Sequence, residues 1–145
     1  MEAFESDDGH IVVRVDTGDD LLKAIKKVCR DEAIETGAVI SGIGTLNRLE
    51  IHYLHSENLD ESTSDRNTVI QSEECWEISG ISGTIADKQP HVHLTAFNGD
   101  RTVVGHLEEG CIVNALGEIV IRPIEGLSII RSPNEFGVNV LRPEE

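Results

Sequence analysis

Three histidines in the stretch His91–Gly110 are the residues best suited to carry out chemistry in this chain. His91 and His93 are two residues apart, a spacing that places both imidazoles on one face of a β-strand. His106 lies on a second run with strand character, beyond the hairpin signal Asn98-Gly99-Asp100. Three neutral imidazoles on one face suit zinc, and also copper, nickel or iron(II). The sequence therefore points to a site for Zn²⁺ or another divalent transition metal.

The register of this hairpin decides whether the three histidines share a face. A turn at Asn98-Gly99 would pair His91 with His106, and a turn at Gly99-Asp100 would pair His93 with His106. Both registers keep the three on one face, whereas a three-residue loop would send His106 to the other. The apolar pattern favours the first two, because one face then carries Val92, Leu94, Ala96, Val103 and Leu107. Two interpretations stay open, a metal site and an ordinary polar face.

Carboxylates near this stretch are candidates for moving protons. Glu77 lies in the apolar run Cys75–Ala86, where it could act as an acid or base or pair with an arginine such as Arg131. The structural pair is favoured, because buried carboxylates are usually paired. If a three-histidine zinc activates water, then Glu77, Glu108 or Glu109 could serve as proton shuttle. The chain has no recognised nucleophile elbow, phosphate loop or metalloprotease motif, so the reaction class stays open.

The elements that must position these residues are mostly strands. One helix and seven to nine strand segments, mostly close in sequence, predict an α+β domain with a mostly antiparallel sheet that could close toward a barrel. One predicted strand is Leu46–His55. His52 and His55 are three residues apart, so a strand would point them to opposite faces, and we do not count them as a ligand pair.

The principal helix is predicted to begin with Thr17 as its N-cap and Asp20 three residues on, as in a capping box. It is predicted to run to about Glu35, with Gly37 as its C-cap. The short stretch Ser41–Gly44 reads as a turn or a β-bulge. The apolar stripe of the helix consists of Leu21, Leu22, Ile25, Val28, Cys29 and Ala33.

The charge balance is strongly acidic, with 27 acidic residues against 12 lysines and arginines and a net charge of −15. Such a surface repels a phosphate backbone, so binding to nucleic acid without an accessory protein is disfavoured. Two explanations for the acidity compete, a general high-salt adaptation and a patch for a cationic partner. The scatter of the acids along the chain favours the first.

At 145 residues the chain is expected to form one domain, with an acidic lead-in at residues 1–9, the domain at 10–142 and a tail at 143–145. The three cysteines are far apart and form no CxxC motif, which favours a reducing compartment and small buried thiols. Residues 1–9 are acidic, where a secretory signal would be basic and then apolar, and no apolar run could span a bilayer. A cytoplasmic location and no membrane partner are expected.

Several segments together resemble the PPC domain, the plant and prokaryote conserved domain. They are SGIGTL at Ser41–Leu46, WEISGISGTI at Trp76–Ile85, HVHLTAF at His91–Phe97, GHLEEG at Gly105–Gly110 and IIRSPNEFGVNVL at Ile129–Leu141. The resemblance covers roughly residues 10–142. It implies a compact α+β domain built around an antiparallel sheet and assembled as a homotrimer. In prokaryotic members that keep the histidines, the positions matching His91, His93 and His106 resemble a zinc site.

The same resemblance bears on function. Plant members join this domain to AT-hook peptides that enter the DNA minor groove, but this chain has no Arg-Gly-Arg-Pro core and no basic arm, so it is similar to the stand-alone prokaryotic type. The first hypothesis is a homotrimeric metal-binding module for a small-molecule or protein partner. The alternatives are a metal-dependent hydrolase or lyase and a DNA-associated regulator.

Overall fold

The computed structural model describes residues 1–144, which form one helix and ten strands. The helix is α1 (Leu21–Asp31). The strands are β1 (Glu2–Glu5), β2 (Ile11–Asp16), β3 (Thr36–Leu54), β4 (Asn67–Ser72), β5 (Trp76–Ala86), β6 (Gln89–Phe97), β7 (Thr102–Leu107), β8 (Ile112–Pro123), β9 (Ile129–Pro133) and β10 (Asn139–Pro143).

Strand pairing in the main sheet is antiparallel and follows the order β1-β2-β8-β3-β5-β6-β7, with β4 on the side of β3. The end of β3 also pairs with β7, so β3, β5, β6 and β7 form a closed circuit of pairings. β9 and β10 form a separate two-stranded sheet. The predicted α+β class is confirmed, and the closed circuit gives the sheet an inner and an outer face at the histidine strands.

The inner face of this circuit is an aliphatic core with a single tryptophan. Trp76 is fully buried, and α1 lays its apolar stripe against the sheet. The five residues predicted to face the core from β6 and β7 are all buried, namely Val92, Leu94, Ala96, Val103 and Leu107. Each fully buried valine or leucine side chain contributes about 1.5–3 kcal/mol to the free energy of unfolding, relative to an exposed one. Because the inner face is filled, the alternate residues of the same strands must point outward.

The longest strand, β3, begins ten residues before the predicted strand Leu46–His55 and includes Ser41–Gly44. The segment Ser41–Gly44 is not a turn but part of this strand, whose pairing with β8 shifts register at three irregularities along it. Gly44 permits the close approach of β8, because a Cβ there would lie 2.5 Å from the carbonyl oxygen of Leu116. The irregularities allow β3 to pair with β5 and β8 along most of its length and with β7 near its end.

The helix is shorter at both ends than predicted. Asp20 is the N-cap and its side chain accepts a hydrogen bond from the Lys23 amide, whereas the Thr17 hydroxyl donates to the carbonyl of Ala115 on β8. The predicted capping by Thr17 is therefore wrong. At the other end Ala33 adopts a positive φ of 52°, which stops the helix before the predicted C-cap Gly37.

Both ends of the described chain contain strands. β1 lies within the predicted acidic lead-in, and the amino group of Met1 forms ion pairs with Asp16 and Asp19. Pro143 belongs to β10, and Glu145 lies outside the described residues. Within residues 1–144, α1 is far too short to cross a bilayer, and no helix meets the requirement for a membrane span.

Candidate metal centre

Two strand pairings bring histidines together on the outer face of the sheet. His93 lies directly opposite His106 in the β6–β7 hairpin, which is the register with Gly99-Asp100 at the turn. His106 also lies directly opposite His52 where β7 meets the end of β3. His91 lies two residues before His93, on the same strand and the same face. We call the outer surface formed by His52, His91, His93 and His106 the histidine face.

The rings of the predicted trio lie at similar distances from one another, with centroids 5.3 Å apart for His91 and His93. Nε2 of His91 lies 3.2 Å from Nε2 of His93. The ring centroid of His106 lies 4.6 Å from that of His91 and 5.5 Å from that of His93. A zinc–nitrogen distance of about 2.0–2.1 Å in tetrahedral geometry separates two nitrogen ligands by roughly 3.3 Å. The His91–His93 nitrogen pair has this separation.

Glu108 organises the other two rings. Its Oε1 accepts from Nδ1 of His52 at 2.7 Å and lies 3.4 Å from Nδ1 of His106. The Nδ1 of His106 also lies 3.0 Å from the carbonyl oxygen of Leu107. Both rings therefore turn Nδ1 toward protein acceptors, which leaves Nε2 on each ring as the nitrogen free for a metal.

The tightest group of candidate ligand atoms differs from the predicted trio. It consists of His52, His106 and Glu108, whose nitrogen and oxygen atoms all lie within 4.8 Å of one another. Sequence reasoning missed His52, because its spacing from His55 predicts only the relative faces of these two residues on one strand. The alternation of outward His52 with buried Leu49 and Ile51 shows which face it takes. Its neighbour on that face depends on the β3–β7 pairing.

The electrostatics favour neutral imidazoles at the histidine face. Burial lowers the pKa of His91 from its ordinary 6.5 to about 4, and the positive charges of His106, Arg131 and the other two histidines add to the effect. Burial is also the first cause that lowers the pKa of His106, followed by the charge of His52. Metal binding requires the neutral form of histidine, so these rings are available as ligands near neutral pH.

The three predicted proton-transfer carboxylates occupy different places. Glu108 lies beside the histidine face, as described above. Glu109 instead forms ion pairs with Lys26 and Lys23 of α1. Glu77 is exposed, and its strand partner Phe97 lies four residues from His93, or about 13 Å along β6. Only Glu108 could exchange a proton with a group held by the histidines.

The predicted ion pair between Glu77 and Arg131 does not form. Arg131 lies on β9 and donates to the carbonyl oxygen of Gln89 at 3.0 Å and to the hydroxyl of Thr84 at 2.6 Å. The prediction failed because Glu77 is on the exposed outer face and therefore needs no buried partner. Arg131 instead holds the β9–β10 hairpin against β5 and β6, next to His91.

A large cavity lies elsewhere in the molecule. It is a groove of about 1040 Å³ formed by the β1–β2 turn, the C-terminal end of α1 and the segment 122–128. Several acidic side chains line it, including Glu5, Asp7, Asp8, Glu32 and Glu35, and no histidine does. His91 and His93 are exposed, so the histidine face is an open surface site in the isolated chain.

Comparison with known proteins identifies the fold family. The profile of the Plants and Prokaryotes Conserved (PCC) domain matches residues 3–125. The chain belongs to the PCC domain family. Among curated relatives, this PCC chain is 28% identical over 123 residues to Bifunctional protein GlmU of Synechococcus sp. strain JA-2-3B'a(2-13), a match that covers 84% of this chain and 18% of that protein. The chain thus spans less than a fifth of the length of this relative.

Solved structures share the PCC fold along nearly the whole chain. A plant- and prokaryote-conserved protein from Pyrococcus horikoshii is 28% identical with a TM-score of 0.76, over 94% of this chain and 92% of that one. A metal-containing protein from Archaeoglobus fulgidus has a TM-score of 0.75 and 23% identity, over 97% and 98%. A candidate DNA-binding protein from Bacteroides thetaiotaomicron has a TM-score of 0.82 and 23% identity, over 99% and 98%. The last two likenesses, being below 25% identity, show the fold alone.

Proposed function

We propose that this PCC chain is a metal-binding module that holds one divalent transition metal, zinc in the first instance, through His91, His93 and His106. The single observation that carries the proposal is the 3.2 Å separation of the Nε2 atoms of His91 and His93. Two imidazole nitrogens at this distance share either the Nε2 hydrogen of one ring, as in a hydrogen bond between neutral tautomers, or a cation. A cation satisfies both lone pairs when both rings carry their hydrogen on Nδ1, and the depressed pKa of His91 leaves that ring free of an added proton near neutral pH.

His106 is the third proposed ligand, and Glu108 with His52 supports it. The contacts of Glu108 and Leu107 with Nδ1 of His106 hold the ring with Nε2 directed away from them. A carboxylate behind a histidine ligand fixes its tautomer and raises its basicity. The alternative trio of His52, His106 and Glu108 shares one ligand with this set, and substitutions distinguish the two.

The metal, when bound by three protein ligands, would offer a position for water or an exogenous ligand. A binding role is favoured over catalysis, because the histidine face is open and the described cavities lie elsewhere. The metal-dependent hydrolase or lyase remains the second candidate. The observation that favours it is the position of the Glu108 carboxylate, which lies 3.4 Å from His106 and could transfer a proton there. A DNA-associated role is disfavoured by the net charge of −15.

We also propose that the chain assembles as a homotrimer through its outer sheet surface. Apolar side chains on the same face as the histidines support this. Val69 lies directly opposite His52 and is 56% exposed, and Val104 lies two residues before His106 and is 56% exposed. Exposed aliphatic side chains next to a partly desolvated site are typical of surfaces that become buried when subunits associate.

The first test is metal content by elemental analysis on protein purified without a histidine tag. Wild type is expected to carry about one metal ion per chain, and His93→Ala is expected to lose it. The matched control is His10→Ala, since His10 lies in the β1–β2 region and contacts Asp8 rather than the histidine face. Absence of metal from the wild type after reconstitution with zinc would contradict the proposal.

The assembly is tested by light scattering coupled to size-exclusion chromatography. A trimer is expected at about three times the chain mass of 15.9 kDa. The measurement is repeated at low and high salt, because the acidic surface repels itself less when it is screened. A species of single-chain mass at every salt concentration would contradict the trimer and leave the metal proposal standing.

A further inference from the structure

The surroundings of Arg131 hold a charge imbalance that the proposed metal would increase. Arg131 is half-buried, and burial lowers its pKa. Among residues 1–144 no carboxylate lies within ion-pair distance of it, although the chain is rich in acids. A partly buried charge is normally compensated by an opposite one. The guanidinium therefore lacks a counter-ion from its own chain.

The guanidinium also keeps unused hydrogen-bond donors. Its Nη1 donates to the carbonyl oxygen of Gln89, and its Nη2 donates to the hydroxyl and carbonyl oxygens of Thr84. An arginine offers five N–H groups in a rigid fork. Within the described chain, Nε and one hydrogen of Nη1 are left without an acceptor. These anchors orient the fork while donors remain for an external acceptor.

The position of Arg131 links it to the histidine face. Thr84, which accepts from Nη2 at 2.6 Å, lies directly opposite His91 in the β5–β6 pair. Directly opposed residues have Cβ atoms about 4.5–5.5 Å apart. Gln89, the other anchor, precedes His91 by two residues on the same strand. The guanidinium is thus anchored to Thr84, the strand partner of the proposed metal ligand His91.

Arg131 is a permanent positive charge beside His91, where it is anchored through Thr84. A divalent cation held by His91, His93 and His106 would place a second positive centre near Arg131, whereas the acid Glu108 lies next to His52 and His106. An anion between metal and guanidinium would relieve this repulsion and accept from the free N–H groups.

We propose that Arg131 and the metal held at the histidine face together bind a small oxyanion, a carboxylate or a phosphate. This inference rests on the proposed metal site and names its ligand class. The guanidinium supplies planar paired donors, for which carboxylate and phosphate oxygens are the matching acceptors. A chain with a net charge of −15 repels anions in general, so affinity for a small anion requires a local site of this kind.

The experiment uses the full chain loaded with Co²⁺ in place of zinc, because the visible spectrum of Co²⁺ reports changes in its ligands. Metal content is measured first for the wild type, Arg131→Gln and Arg131→Lys. Acetate and inorganic phosphate are then titrated in separate arms at constant ionic strength, and the two arms show which oxyanion is preferred. The matched control is Arg142→Gln, which removes the same charge from the same hairpin at an exposed position.

We expect all four proteins to bind equal amounts of metal. The anion dissociation constant should rise about tenfold or more in Arg131→Gln, which corresponds to loss of one charge-assisted hydrogen bond. It should change less than about twofold in Arg142→Gln, a surface charge at the rim. Arg131→Lys should fall between wild type and Arg131→Gln, because lysine keeps the charge but loses the fork.

Two results would overturn the inference while leaving the metal site intact. One is a metal-loaded wild type that binds neither anion, and the other is equal anion affinity in wild type and Arg131→Gln. If Arg131→Gln does not fold, Arg131→Lys decides, and wild-type affinity in that variant would overturn the inference. A wild type that binds no metal would overturn the proposed function as well, and it is recognised before any anion is added.

Discussion

His52 and His106 lie directly opposite each other on β3 and β7, and their imidazole rings stack with centroids 4.5 Å apart. Glu108 lies behind both rings and contacts Nδ1 of each. This relationship joins the end of the longest strand to the hairpin that carries the predicted metal ligands. It makes His52 a supporting residue in the proposed site and a ligand in the alternative one, which leads to the first prediction.

We predict that His52→Ala keeps one metal ion per chain but binds it about 10–100-fold more weakly, the usual effect of removing a supporting partner. His91→Ala and His93→Ala should lose the metal. The measurement is competition with a chromogenic chelator of known affinity. The opposite pattern, with metal lost in His52→Ala and retained in His91→Ala, would assign the site to His52, His106 and Glu108.

The metal-free chain should lose stability as the pH falls below about 6.5. The unfolded chain protonates His91 near its ordinary pKa of 6.5, whereas the folded chain does so near 4. Between these values the unfolded state binds more protons, so this contribution is complete above pH 6.5 and declines toward pH 4. Because His91 stays partly open to solvent, only part of the shift is expected to appear as stability.

The check is the thermal midpoint of metal-free protein between pH 4 and pH 7. His91→Gln should flatten the pH dependence relative to wild type, because the amide does not titrate. His10→Gln serves as the control for loss of a histidine elsewhere. Parallel curves for wild type and His91→Gln would show that His91 titrates alike in the folded and unfolded states.

Gly105→Ala should separate the two strands that carry His52 and His106. A Cβ at position 105 would lie 2.6 Å from the carbonyl oxygen of His52, so β3 or β7 must shift. We expect the free energy of unfolding to fall by about 1–3 kcal/mol, as for other overpacked positions. Gly80→Ala is the control, since nothing lies within 4 Å of a Cβ there. Equal denaturant midpoints for the two variants would contradict the close approach.

Thiol reactivity should distinguish one accessible cysteine from two protected ones. Cys75 is exposed, whereas burial raises the pKa of Cys29 to about 11 and that of Cys111 to about 12. One thiol per native chain should react with a disulfide reagent at neutral pH, and three should react after unfolding. Cys75→Ser should abolish the native reaction. Rapid modification of a second thiol in the native protein would contradict the packing around α1 and β8.

Arg66→Met should stabilise the fold. Arg66 is 1% exposed, and its Nε and Nη2 have no hydrogen-bond partner among residues 1–144. An unsatisfied buried polar group costs about 1–3 kcal/mol, and methionine fills a similar volume without that cost. The expected gain appears as a higher urea midpoint at unchanged slope. A lower midpoint would mean that the guanidinium finds a partner in solution.

The local part of the candidate site was predictable. The two-residue spacing of His91 and His93 and the glycine-containing turn placed three histidines on one face, and the observed pair of His93 with His106 confirms one of the two favoured registers. These features follow from strand alternation and turn chemistry, which act over a few residues. The buried opposite face follows from the same alternation.

The boundaries and partners of other elements were not predictable in this way. Thr17 reads as an N-cap, but its hydroxyl bonds to Ala115 of a distant strand and Asp20 caps the helix instead. Glu77 reads as a buried acid because its neighbours are apolar, yet strand alternation between buried Trp76 and Ile78 leaves it on the outer face. Thr17 is misplaced because a long-range contact competes with a local preference, whereas Glu77 is misplaced because the apolar composition of its segment hides the alternation.

The sequence by itself determined the acidic surface, the aliphatic core, the principal helix and the hairpin with its three outward histidines. Only the tertiary structure decided that β3 would continue as one irregular strand and close onto β7. That closure brings in His52 and Glu108, and the docking of β9 brings Arg131 next to His91. The physical reason is that strand alternation fixes which face a side chain takes, whereas its neighbours on that face depend on pairings between distant segments.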